Sequence, residues 1–214
     1  MQIAATDRTT VRRLPKRANY DRELIDAVID EALSCHVGFA VDGRTWVLPT
    51  IHARIDDRLY LHGAVANHML RTLDGGIEAC VTVTLVDALV LARSAFHHSM
   101  NYRSVMIFGT LTRVESDAEK RAALHALVEH VVPGRSADAR PPADSELRAT
   151  SVLCLPITEA SAKVRTGGPI DDDEDLALPV WAGLLPVSTA FGSPIADPGI
   201  AAPAPDYVTG YRRP

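Results

Sequence analysis

The sequence predicts a mainly β fold, an antiparallel barrel with helices at its periphery. Three observations carry this. Apolar and polar residues alternate over two long stretches, 77–91 and 103–114. Several short strand-like segments follow one another across turn signals, with Asp42-Gly43 the strongest. The helix-spaced segments between them are too few to supply the crossovers that a parallel sheet requires.

Taken in order, residues 21–33 place Leu24, Ile25, Val28, Ile29 and Leu33 at helical spacing, with Asp21 positioned as the N-cap. Strands are expected over 37–41, 45–51 and 58–62. Pro49 lies inside the second, and because proline cannot donate to a ladder this strand is an edge or is bulged there. A short helix is predicted over 63–73, closed by Asp74-Gly75-Gly76. The two long strands follow. A helix then runs from a Ser116 or Asp117 cap to Val132, with Leu124, Leu127, Val128 and Val131 on one side, and Pro133-Gly134 stops it. Residues 144–150 form a short helical turn, and 151–159 a strand interrupted at Pro156. The organisation expected is a basic extension over 1–20, a body over 21–185 and a Pro/Ala-rich tail over 186–214 without regular structure.

Composition excludes several classes. No apolar run approaches the roughly 20 residues that span a bilayer, so no membrane segment is expected. The start is polar and basic (Arg8, Arg12, Arg13, Lys16, Arg17) and has no apolar core of a secretory signal. It reads as a solvated extension, and a net charge of −5 argues against nucleic acid as a partner. Cys35, Cys80 and Cys154 are far apart among apolar residues, as in a reduced, cytoplasmic protein.

Polar residues beside strand-forming runs carry the chemistry. His62-Gly63 falls where a strand is expected to become a helix, and backbone N–H groups there, with Asn67 and His68 one turn on, suit an anion. Arg103 and Ser104 open a neighbouring strand and can add a bidentate guanidinium and a hydroxyl, making a phosphate pocket from two segments. The plainer reading has His62 and His68 at the surface and Arg103 paired with a carboxylate. Pro49, Thr50 and Ile51 leave backbone free to face a ligand. His97-His98 point to opposite faces if extended, so no metal site is expected. The run DDDED at 171–175 reads as a solvated loop. Trp181 either covers a cofactor ring or partner surface, or fills a core gap. No Rossmann, P-loop, HExxH or nucleophile-elbow motif is present.

The segments RANYDRELIDAVIDEAL, LYLHGAVANHMLRTL, CVTVTLVDALVLARSAFHHSMNYRSVMIFG and EASAKVRTGGPIDDDEDLALPVWAGLLP together resemble the pyridoxamine 5′-phosphate oxidase-like superfamily, in its flavin-nucleotide-binding, 5-nitroimidazole reductase-like branch. The resemblance implies an antiparallel split β-barrel of the FMN-binding type and a homodimer with FMN at its interface. On this chain it implies an isoalloxazine along Pro49, Thr50 and Ile51 and near Thr82. The phosphate would meet His62, Gly63, Ala64, Asn67 and His68, with Tyr102, Arg103 and Ser104 from the later strand, and Trp181 would approach the ring from the other subunit. Many relatives carry Lys or Arg in the loop where this chain has Ala66, Asn67 and His68. The family also includes members that bind haem or F420, or no cofactor. The function implied is an FMN-dependent oxidoreductase acting on a small nitroaromatic- or quinone-like acceptor. The alternatives are a flavin-binding or flavin-sensing protein without turnover and a haem-binding relative.

Overall fold

The computed structural model describes residues 1–213. Its contacts divide the chain into two units. Unit 1 comprises Met1–Ala32, Thr82–Met106 and Glu159–Thr189; unit 2 comprises Leu33–Val81, Ile107–Thr158 and the segment from Ala190 onward. The fold is mainly β, and every strand pairing with an assigned register is antiparallel.

In unit 1 the helix α1 (Arg22–Glu31) begins as predicted, with the Asp21 carboxylate accepting from the Glu23 N–H at 3.2 Å. Ile25, Val28 and Ile29 are wholly buried on one face, and Arg22 meets Asp26 one turn on at 2.7 Å. Strand β1 (Ala18–Asn19) pairs with β10 (Glu159–Arg165), Ala18 opposite Lys163. Next in order lie β7 (Ser99–Thr110) and β6 (Glu78–Leu91), and β11 (Gly183–Pro186) adds to β6 with Gly183 opposite Leu91. The N-terminal residues are not a solvated arm: Ile3 and Thr9 are buried, and Thr6 and Arg8 bond the Glu159 carboxylate.

In unit 2, β2 (Cys35–Val41) and β3 (Arg44–Thr50) form the expected hairpin. Asp42 and Gly43 have φ of 50° and 74°, the left-handed pair that a two-residue hairpin of matching twist requires. β3 ends its strand order, so Pro49 sits on an edge strand. A second sheet orders β4 (His52–Ile55), β5 (Arg58–Ala64), β9 (Thr150–Pro156) and β8 (Thr112–Arg113). Leu59 faces Leu155 and Leu61 faces Leu153, all four fully buried. Around it lie α2 (His68–Asp74), α3 (Asp117–Val131), α4 (Arg135–Asp138), α5 (Asp144–Ala149) and, in the tail, α6 (Asp206–Thr209).

The boundaries differ from the sequence reading in three places. Strand β5 runs on through Gly63 and Ala64, and α2 starts only at His68 with Asn67 as its cap. The expected strand over 151–159 is two strands that belong to different units, β9 and β10, because the chain turns after Pro156. In α3 only Ala123 and Leu127 are buried, and Val128 is 38% exposed. The apolar stripe of α3 therefore faces an open cavity rather than a filled core.

Leu153 lies at the centre of the second sheet with no exposed surface. Leu153→Ala should destabilise the protein by about 2–5 kcal/mol, the range for a cavity that cannot collapse. Urea unfolding checks this as a lower midpoint at unchanged slope.

Candidate functional site

The sequence-selected residues fall into both units. Within unit 1, Arg103 on β7 is fully engaged. Its Nε and Nη2 donate to Asp87 on β6 at 3.1 Å and 2.7 Å, Nη2 also reaches Glu31 at the end of α1 at 2.8 Å, and Nη1 donates to the same carboxylate. The hydrogen bonds from Glu31 and then Asp87 drive the guanidinium still further above its ordinary pKa. Pairing with carboxylates, the plainer of the two sequence readings, is what the structure shows. Ser104 lies beside it and donates to the Lys163 carbonyl at 3.4 Å, and Thr82 donates to the Val105 carbonyl at 2.9 Å. Tyr102 is half-buried. Trp181 fills no core gap: it is 70% exposed and its ring lies over Gly183, where an added Cβ would come within 2.9 Å of Cζ2. Phe96, Ile170 and Leu185 are likewise exposed.

The 171–175 loop is tied down rather than freely solvated. Asp171 accepts from the Arg93 N–H and side chain at 2.8 Å and 2.7 Å, and Asp172 meets His97 Nε2 at 3.0 Å. His98 Nδ1 meets the Ser94 carbonyl at 2.9 Å.

Within unit 2, His68 and Trp46 come together with ring centroids 5.8 Å apart, and His68 Nδ1 shares a hydrogen bond with Thr72 Oγ1 at 2.9 Å. Asn67 is occupied as a cap, its Oδ1 accepting from the Leu70 N–H at 3.1 Å. Gly63 and Ala64 are strand residues, and a Cβ on Gly63 would meet Leu70 Cδ1 at 3.0 Å, so a larger residue there would make Leu70 shift. Pro49 and Ile51 are exposed and Thr50 half-buried on the edge strand and its end.

His62 and Ile51 open into the cavity behind α3. It measures about 980 Å³, at the upper end of the usual range for ligand sites, about 300–1,000 Å³. Its walls are mainly apolar, with Leu124, Leu127, Val128, Val131 and Val132 among them, and Arg121, Arg135 and Arg140 also line it. His62 Nδ1 is buried without a hydrogen-bond partner, and burial holds the ring below its ordinary pKa, hence neutral. On the facing helix His125 Nε2 lies 3.0 Å from Ser136 Oγ. Ser136 gives its single hydrogen to Glu129, so His125 must be the donor. Glu129 also accepts from the Gly134 and Ser136 N–H groups at 2.6 Å and 2.9 Å. The sequence reading missed this cavity, although Arg121, His125 and Val128 recur at the spacing of one helix face.

An orphaned neutral imidazole, an apolar slot and guanidinium groups fit a flat apolar macrocycle carrying a metal and carboxylates, which is to say a haem. Antiparallel sheets flanked by short helices define a split-barrel fold. The chain belongs to the pyridoxamine 5′-phosphate oxidase family, whose model matches residues 21–164. It is similar to the flavocytochrome Anf3 from Azotobacter vinelandii (39% identity, 98% of each chain covered, TM-score 0.90). It is also similar to an FAD- and haem-binding protein from Mycobacterium smegmatis (37% identity, 92% of this chain and 98% of that chain, TM-score 0.87). A more distant likeness is a protein of Bacteroides thetaiotaomicron assigned to 5-nitroimidazole antibiotic resistance (26% identity, 69% and 86% covered, TM-score 0.56). No curated protein matches. No helix among the described residues is long and apolar enough to cross a membrane.

The hydroxyl of Ser136, then the N–H groups of Gly134 and Ser136, hold the Glu129 carboxylate down at about 2 from an ordinary 4.5. A depressed acid contributes stability that is complete above the unfolded value and is lost as pH falls through the folded one. Glu129→Gln should therefore flatten the fall in melting temperature between about pH 4.5 and 2, measured by circular dichroism, while changing the curve's shape little above that window.

Proposed function

We propose that this protein is a flavin-dependent oxidoreductase passing electrons to a small nitroaromatic- or quinone-like acceptor, and that its unit 2 cavity carries a haem. The observation that carries the haem is His62, a neutral imidazole with a buried, unpartnered nitrogen lining a large apolar cavity. The likeness to a flavocytochrome over 98% of the chain supports both groups.

When bound, flavin supplies hydride and single-electron transfer and haem supplies single-electron transfer at its iron. The protein's own part is binding, orientation and exclusion of water. His62 would hold the iron. Arg121, Arg135 and Arg140 would meet the propionates, since their present partners Asp144, Tyr207 and Glu146 are exposed contacts that exchange at little cost. Leu124, Leu127 and Val131 would keep water from the macrocycle. For the flavin, FMN is the cofactor proposed from the family resemblance and FAD the one named in a relative. The residues proposed to touch it are Thr82, Tyr102 and Ser104 in unit 1.

The visible spectrum of the purified protein tests this reading. Flavin bands together with a haem Soret band are expected, and His62→Ala should abolish the Soret band while leaving flavin content unchanged. A protein that takes up neither added flavin nor added haemin sinks the reading. Turnover requires that the dithionite-reduced protein be reoxidised by a quinone or nitroaromatic.

A homodimer is also proposed, with Phe96, Trp181 and Leu185 as the covered face. Light scattering should give twice the 23.1 kDa chain mass, and Phe96→Asp with Leu185→Asp should halve it.

A further inference from the structure

Arg165 is only 5% exposed, yet its partners are all neutral. Nη1 donates to Asn101 Oδ1 and, at 3.2 Å, to the Gly167 carbonyl, while Nη2 donates to the Gly168 carbonyl at 3.1 Å. Its Nε is buried with no partner. No carboxylate among the described residues pairs with it, whereas Arg8 and Arg93 each have one and Arg103 has two. A buried cation satisfied by dipoles alone is expensive, and capping two carbonyls requires only a neutral donor. The charge calls for an anion.

The backbone shows where such an anion would sit. β10 ends at Arg165 and leads into an exposed loop over Thr166, Gly167 and Gly168. The Gly167 and Gly168 carbonyls turn inward to the guanidinium. No peptide bond is cis, so the Gly168 N–H, opposite the Gly167 carbonyl, points outward. Among the described residues it meets no acceptor. Gly167 has φ of +94°, and a Cβ on either glycine would find nothing within 4 Å, so the backbone is open to close approach. A second cation stands beside this loop. Arg17 ends the turn Pro15–Arg17, which packs on β10, and the register of Ala18 opposite Lys163 brings Arg17 alongside the strand's end. The nearby acid Asp171 is engaged by Arg93.

We propose that the loop over Arg165 to Gly168, with Arg17, holds the phosphate of the flavin nucleotide. This rests on the flavin reading above. An outward N–H over a buried guanidinium, flanked by a second guanidinium, is the donor set that a multiply charged phosphoryl group takes. Arg103, neutralised by two carboxylates, leaves that role open.

The test uses full-length protein freed of flavin, titrated with riboflavin, FMN and FAD by flavin fluorescence. The wild type should bind FMN or FAD at least about tenfold more tightly than riboflavin. Arg17→Gln, at a half-buried surface position, should erase about tenfold of that preference and leave riboflavin affinity unchanged. Arg165→Lys keeps the charge but loses the fork, and should do the same; a melting curve checks that it folds, and Arg17→Gln decides the matter if it does not. Inorganic pyrophosphate should compete with FMN in the wild type and not in the variants. Equal affinity for all three flavins, or variants that keep the preference, would overturn the phosphate site while the flavin reading stands. Absence of binding by any flavin would overturn both.

Discussion

One guanidinium fixes the frame of unit 1. Arg103 on β7 holds Asp87 on the neighbouring strand and Glu31 at the last residue of α1, through all three of its nitrogens. The helix is thereby anchored to the sheet at its C-terminal end, where a carboxylate is otherwise unfavourable against the helix dipole. The arrangement is partly shielded from solvent, with the three side chains between 20% and 33% exposed, so these bonds are worth more than surface ion pairs. The same pairing removes the residue from ligand chemistry. The cationic site of unit 1 is therefore to be sought at a buried guanidinium without a carboxylate, as Arg165 is among the described residues.

Unit 2 has a different logic. Its sheet packs one face on a closed cluster of Tyr60, Val114, Ala123, Val152 and Cys154, while the rest of α3 lines the cavity. The C-terminal tail closes over the far end of that helix. Tyr211 donates to the Val131 carbonyl, Arg213 to the His130 carbonyl, and Tyr207 to Asp138 on α4. These contacts satisfy the open carbonyls of a helix terminus, and they explain why a Pro- and Ala-rich tail, expected to be irregular, carries a helical turn at Asp206–Thr209.

Much of the fold was legible because local chemistry and tertiary structure agree. The Asp21 cap, the Asp42-Gly43 turn, the edge position of Pro49 and the alternation along β6 and β7 each follow from one residue property that nothing in the packing opposes. The failures share a cause. β10 reads EASAKVR, and its buried positions are Ala160, Ser161, Ala162 and Arg165, too small or too polar to mark a strand. His62-Gly63 resembles a strand end in sequence, yet β5 runs on to Ala64 and α2 starts only at His68, with Leu70 packed close to Gly63. In the candidate site, residue types were readable but partners were not. Whether Arg103 meets a phosphate or a carboxylate depends on Glu31 and Asp87, which are remote in sequence. The hydrophobic stripe of α3 is identical whether it covers a core or lines a cavity.

The chain's two tryptophans divide between the units, Trp46 on β3 in unit 2 and Trp181 before β11 in unit 1, at 41% and 70% exposure. Each indole has a specific neighbour, the His68 ring for one and the bare backbone of Gly183 for the other. Intrinsic emission from this protein is thus a sum of two separable reporters. Replacing either tryptophan with phenylalanine leaves a single-site probe of its own unit, one that reads the contact of Trp46 with the His68 ring and one that reads whatever covers Trp181.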